Sequence, residues 1–134
     1  MNSPTLEGGC LCGAVRYTVN SEPVVTLHCH CSDCRKATGA PFSTWAVFPR
    51  MALNWPQREP RRVPHADRLR LFCPDCGTPI GMLPTEDAAI IAITAGTLDR
   101  PETLKPVCHT WVEDQLPWVH TSDGLPRHQK MMPA

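Results

Sequence analysis

A mainly β domain of several short, twisted antiparallel sheets is what this sequence predicts, on three observations. Fifteen prolines among 134 residues are about twice the usual share of roughly 5%. Each proline inside a helix would remove a hydrogen bond and clash with the preceding turn, so long helices are excluded. Several short segments alternate apolar and polar residues with the period of a strand. The length suits one domain with a single core, and 42% hydrophobic against 19% charged residues describe a globular chain.

The elements follow in order. Residues 14–19 place Val15, Tyr17 and Val19 on one face and read as a strand. Residues 24–29 form a second, β-branched run that ends in Cys29. Ser32 is placed to cap one or two helical turns through Cys34, Arg35, Lys36 and Ala37, with Gly39 as the stop. Phe42 to Phe48 alternate again until Pro49. Residues 50–67, rich in proline and arginine and without an apolar period, read as a long surface loop. Arg68 to Phe72 form a short strand leading into Cys73, and Pro79 to Leu83 another. Ala88 to Thr94 is apolar on both faces, as a central strand should be. Val107 to Val112 reads as the last strand, and the patternless tail is expected to fray.

Thirteen basic and thirteen acidic residues cancel, which points away from DNA, RNA and anionic membranes as partners. The first residues carry neither a basic region nor an apolar run, so no secretory signal is expected. No stretch approaches the roughly 20 apolar residues of a membrane span. The expected location is the cytoplasm, where thiols in a short chain serve more often as metal ligands than as disulfides.

The eight cysteines fall in a definite order. Cys10 and Cys12 form a hook among Gly8, Gly9 and Gly13. Cys29, Cys31 and Cys34 lie within six residues, Cys73 and Cys76 form a knuckle before Gly77, and Cys108 stands alone. A closed structural zinc site needs four ligands, and a knuckle supplies two. Pairing hook with knuckle completes a four-cysteine set and leaves a three-cysteine set. Pairing the triplet with the knuckle would crowd five sulfurs on one ion and strand two. The three-cysteine set is either open, as in a catalytic zinc site, or closed by His28, His30, Cys108 or His109. Three thiolates make zinc a weaker Lewis acid than three histidines do, but one that accepts a further soft ligand such as a substrate thiol. Cys108 reads as a buried free thiol.

With these groups laid out, the chain resembles the glutathione-dependent formaldehyde-activating enzyme family, also called the centromere protein V/GFA domain. The resemblance rests on Gly9-Cys10-x-Cys12-Gly13, on Cys29-His30-Cys31-x-x-Cys34-Arg35-Lys36 with Thr38-Gly39, and on Phe72-Cys73-x-x-Cys76-Gly77-Thr78. His109-Thr-Trp-Val, Pro117-Trp118 and Asp123-Gly124-Leu125-Pro126 add a closing pattern. The resemblance implies a Mss4-like fold over residues 6–126, with 127–134 left as a frayed tail. It implies two zinc ions, a structural one on Cys10, Cys12, Cys73 and Cys76 and a catalytic one on Cys29, Cys31 and Cys34. It further implies a carbon–sulfur lyase that forms S-(hydroxymethyl)glutathione from formaldehyde and glutathione.

On this reading a small thiol such as glutathione is the partner, and Arg35 pairs with a substrate carboxylate. Lys36 reads as a solvated charge, Trp45 and Trp111 as core or pocket wall, and Asp33 and His30 as the nearest groups to move a proton. Two alternatives belong to other classes. One is a zinc-stabilised binding module with no catalysis. The other is a thiol oxidoreductase of related fold, for which only Cys108 lies outside the two metal sets.

Overall fold

The computed structural model describes residues 5–133 and shows a mainly β chain with two sheets. Strands β1 (Leu6–Gly9), β2 (Arg16–Val19) and β5 (Leu53–Asn54) form a small antiparallel sheet with β2 in the middle. The larger sheet comprises β3 (Val25–Cys29), β4 (Ser43–Pro49), β6 (Arg61–His65), β7 (Arg68–Phe72), β8 (Pro79–Leu83), β9 (Ile90–Thr94) and β10 (His109–Thr110). Their order across the sheet is β10-β3-β4-β9-β8-β7-β6, antiparallel throughout except that β10 runs parallel to β3. The mainly β class expected is therefore observed, with most of the short strands gathered into one seven-stranded sheet. Among the described residues no helix is long and apolar enough to cross a membrane.

Alternation along β4 builds two cores. Ala46 and Phe48 face the small sheet and join Val15, Tyr17, Val19, Ile80, Leu83 and Ile93 in the main core. Trp45, on the opposite face, joins Leu27, Cys29, Cys34, Ala92 and Cys108 in a second cluster. β9 supplies residues to both, Ile91 and Ile93 to one and Ala92 to the other. Helix α1 (Ser32–Thr38) contributes Cys34 to the second cluster. Each cluster contains cysteines, so both candidate metal groups grow directly out of buried apolar packing.

Three expectations need correction. The loop expected over residues 50–67 contains β5 and β6, the latter pairing with β7 in a hairpin that turns at Ala66 with φ 54°. Every residue of β6 is exposed. An edge strand with no buried face has no apolar period to display, and arginines and a proline are common on edges. The strand expected over Val107–Val112 shrinks to His109–Thr110, because Trp111 adopts a left-handed φ of 56° and turns the chain into a 3-10 helix at Val112–Asp114.

The tail expected to fray beyond residue 126 is tied down. The His109 amide donates to Pro126 O at 2.9 Å, the His128 amide to His109 O at 2.9 Å, and the Trp111 amide to Lys130 O at 3.0 Å. The outer edge of β10 offers unpaired backbone groups, and a segment can satisfy them without any side-chain pattern. Met132 then packs against the second cluster.

Candidate metal centres

Cys10 follows β1 and Cys73 follows β7, and the two turns they begin face each other. The Gly13 amide donates to Cys10 O at 3.2 Å, and the Gly77 amide to Cys73 O at 2.9 Å. Gly13 and Gly77 have φ of 83° and 79°, a region in which a side chain would be strained. Each turn thereby exposes amides to sulfur. Val15 N–H donates to Cys10 Sγ at 3.3 Å, and the Asp75 and Cys76 amides to Cys73 Sγ at 3.4 Å each.

The sulfurs of Cys10, Cys12, Cys73 and Cys76 all lie within 4.8 Å of one another. Cys10 Sγ is 3.6 Å from Cys12 Sγ, which is 3.8 Å from Cys73 Sγ. A tetrahedral zinc with bonds of about 2.3 Å needs sulfurs about 3.8 Å apart. Donor type, spacing and the amides that would stabilise thiolates therefore fit a closed metal site. All eight cysteines are free of disulfides.

Two features of this centre escaped the sequence. Thr78 Oγ1 accepts from the Leu11 amide at 3.1 Å and contacts Cys76 Sγ at 3.1 Å, so one hydroxyl joins hook to knuckle. That hydroxyl, followed by the Thr78 backbone, holds the Cys76 thiol well below its usual value, at about 5. The segment read as loop also drapes over both turns. Gln57 Nε2 donates to Gly13 O at 3.1 Å, and Arg58 pairs with Asp75 at 2.8 Å.

The second group is local. Cys29 ends β3, and Cys31 rather than Ser32 caps α1, its sulfur accepting from the Cys34 amide at 3.3 Å. A cap needs an acceptor reaching the third helical amide, and sulfur performs that role here. Gly39, with φ 72°, closes the helix as expected. The sulfurs of Cys29, Cys31 and Cys34 lie within 4.8 Å of one another. Cys29 and Cys31, and after them Arg70, whose Nη1 donates to Cys34 Sγ at 3.7 Å, hold the Cys34 thiol down at about 2. The same sulfur contacts push the Cys29 thiol up. The donor set fits a soft divalent ion with three protein ligands.

Of the side chains expected as possible fourth ligands, Cys108, His28 and His109 have other partners, and His30 is engaged through one of its two nitrogens. Cys108 is buried with its sulfur 3.9 Å from Met132 Sδ. His28 Nδ1 lies 2.7 Å from Thr44 Oγ1, and His30 Nε2 lies 2.9 Å from His109 Nδ1. His109 Nε2 in turn sits 2.8 Å from Asp123 Oδ2. The carboxylate requires a proton on His109 Nε2, which leaves His109 Nδ1 to accept from His30 Nε2–H. His30 Nδ1 is then a buried lone pair without a protein partner. Burial, and then the neighbouring His109, Arg127 and His28, pull the His30 pKa down to about 4. His28, His109 and Asp123 also fall within ligand distance of one another. Both nitrogens of His109 are already committed in the His30–His109–Asp123 chain, however, and His28 stacks on His109 with its Nδ1 on Thr44.

Around the second group, Arg35 is half-buried on α1 and Lys36 exposed. Asp33 is 3.8 Å from Arg68. Trp45 is buried, its Nε1 donating to Ser43 Oγ at 2.6 Å. A cavity of about 340 Å³ is lined by Thr38, Phe42, Ser43, Thr78 and Thr94. Another hollow, about 500 Å³, is lined by residues that include Leu6, Val24 and Leu104, with no cysteine or histidine.

Comparison with known proteins adds three findings. The model of a family described as glutathione-dependent formaldehyde-activating enzyme matches residues 5–114. An uncharacterized lyase of Schizosaccharomyces pombe is 28% identical over 75 residues, covering 56% of this chain and 55% of that protein. The matched region thus spans about half the length of this curated relative. A crystal structure of a Rhodobacter sphaeroides protein superposes with a TM-score of 0.57 at 18% identity, covering 91% of this chain and 98% of that one. At that identity the likeness is one of fold.

Proposed function

This chain belongs to the glutathione-dependent formaldehyde-activating enzyme family, and on that premise we propose that it is a zinc-dependent, carbon–sulfur lyase-type enzyme. Its substrates on this reading are the adducts of a small thiol, glutathione or a relative, with an aldehyde such as formaldehyde. Zinc on Cys10, Cys12, Cys73 and Cys76 is structural, and a second zinc on Cys29, Cys31 and Cys34 is catalytic.

The observation that carries this reading is the gathering of the Cys29, Cys31 and Cys34 sulfurs within 4.8 Å of one another. His28, His109 and Cys108 have partners outside the triplet, and His30 is held there through Nε2 while its Nδ1 has no partner. A metal held there has three protein sulfurs, the donor count of a catalytic rather than a closed site. When bound, the ion supplies a position at which a substrate thiol is held as its thiolate. In the forward reaction the thiol sulfur bonds to the aldehyde carbon, and the carbonyl oxygen takes up a proton to give a hydroxymethyl thioether. In reverse that C–S bond breaks.

The chain's own residues bind and orient. Arg35, one position beyond Cys34, offers a guanidinium to a carboxylate of the thiol. The cavity beside Phe42 and Thr38 has room for the peptide-like portion. The fold's buried Trp45 and Cys34 keep water from the inner side of the triplet. The test is the rate of adduct formation from formaldehyde and glutathione, followed by NMR exchange with and without the zinc-loaded protein. Acceleration lost in Cys31→Ser supports the enzyme. No acceleration over the spontaneous reaction leaves a non-catalytic binding module.

A further inference from the structure

We propose that Arg70 is a positioning residue of the Cys29/Cys31/Cys34 site, drawing charge off the Cys34 sulfur so that the site accepts an additional anionic sulfur. This rests on the reading that a thiol is the substrate, and it adds a residue that neither the motif spacing nor the comparisons assign.

The geometry is specific. Among the described residues, Arg70 is the one cationic side chain that hydrogen-bonds to a cysteine sulfur; the other nitrogen donors to sulfur are backbone amides. Its register is held from both sides, Arg70 standing opposite Val63 of β6 and Met82 of β8. Along β7, Leu71 points into the main core, while Arg68 and Arg70 reach α1 at adjacent residues, Asp33 and Cys34. Arg70 also lines a small cavity of about 150 Å³ with Ala37, Thr38, Trp45 and Pro79. The contact to sulfur is therefore built from two paired strands and a helix.

The chemistry follows from charge. Three thiolates on a divalent ion leave one net negative charge, and a fourth thiolate makes it two. A guanidinium is permanently charged and weakly hydrated, so placed on one of the sulfurs it offsets one charge regardless of pH. It also withdraws electron density from the Cys34 donor, which makes the ion a better acceptor for the incoming sulfur. Arg35 has a separate role in this scheme. It would recognise the carboxylate of the thiol, whereas Arg70 acts on any thiol because it acts through the ligand set.

The experiment uses the cobalt-loaded protein, wild type and the Arg70→Met and Arg70→Lys variants, with two metals per chain and a cooperative melt verified for each. Two readouts are taken. One is the thiolate-to-cobalt charge-transfer band before any thiol is added. The other is the spectral titration with glutathione and with 2-mercaptoethanol. Losing a hydrogen bond to sulfur raises the energy of its lone pairs, so Arg70→Met should shift the resting band to lower energy. It should also weaken both thiols about tenfold to a hundredfold, the usual range for a lost ligand-supporting contact. Arg70→Lys should fall between. Loss of glutathione binding alone, with an unshifted band, would make Arg70 a carboxylate anchor and overturn the proposal, as would wild-type behaviour in both variants. If no thiol perturbs the wild-type spectrum, the thiol-based function fails, and the resting band still decides Arg70's action on Cys34.

Discussion

The backbone N–H of Leu11 donates to Thr78 Oγ1 at 3.1 Å, joining the two halves of the four-cysteine centre across 67 residues of chain. The same hydroxyl touches Cys76 Sγ at 3.1 Å. Thr78→Val keeps the shape of the side chain but removes both contacts. Metal affinity at this centre should fall about tenfold to a hundredfold, and stability by about 1 kcal/mol for the lost hydrogen bond. Competition with a chromophoric chelator measures the first and a melting curve the second. Unchanged affinity would show that the two turns are held in place by the sulfurs alone.

Loss of the metal itself is far more damaging. Structural zinc contributes on the order of 10–16 kcal/mol apparent, against a total stability of about 5–15 kcal/mol for a typical domain. Cys73 is fully buried at the end of β7 and packs in the main core. Cys73→Ser or Cys76→Ser should yield unfolded or aggregated protein, as should exhaustive chelation. A variant that melts like wild type would refute the pairing of hook with knuckle as one metal site.

The second centre should be separable from the fold. Its ligands lie within six residues, so it constrains little chain entropy. Cys31→Ser is a clean probe because Cys31 is the N-cap of α1, and serine is among the best capping residues. This variant should lose or weaken one metal, keep a cooperative melt and fail to bind a small thiol. Atomic absorption and calorimetry report the outcome, and global unfolding would contradict it.

Arg35→Ala should retain both metals and bind glutathione more weakly, with little change for an uncharged thiol. The side chain forms no ion pair among the described residues, so its removal should shift the melting temperature little. Equal calorimetric heats for both thiols in wild type and variant would remove Arg35 from substrate recognition.

Cys108→Ala should leave metal content untouched and cost about 1 kcal/mol, an ordinary small core change. The buried thiol contacts Met132 rather than the cysteine triplet. A loss of one metal per chain would instead make Cys108 a ligand and close the second centre.

Much of this architecture is local and therefore legible in the chain order. Val15, Tyr17 and Val19 alternate because β2 has one buried face, and all three are fully buried. The four sulfurs and the three sulfurs that the structure gathers follow from ligand counting, because a tetrahedral thiolate site imposes short, turn-sized spacings on each half. The glycine after the second knuckle cysteine has the positive φ that such a turn demands. What stayed hidden depends on partners distant in sequence. β6 shows no period because its pairing to β7 uses backbone alone and buries no face. The tail beyond residue 126 is ordered by amides and carbonyls along β10, and backbone groups are the same in every residue. Thr78, Arg70 and the Asp123–His109–His30 chain gain their meaning only when folding brings them to a sulfur or to one another. The sequence alone thus determined the β class and the division of the cysteines, since local periodicity and ligand number are written in neighbouring residues. Tertiary structure alone decided which side chains surround each centre, because Thr78, Arg70 and the histidine chain reach their partners from distant elements. Those contacts cross as many as 79 residues, between positions with no pattern to link them.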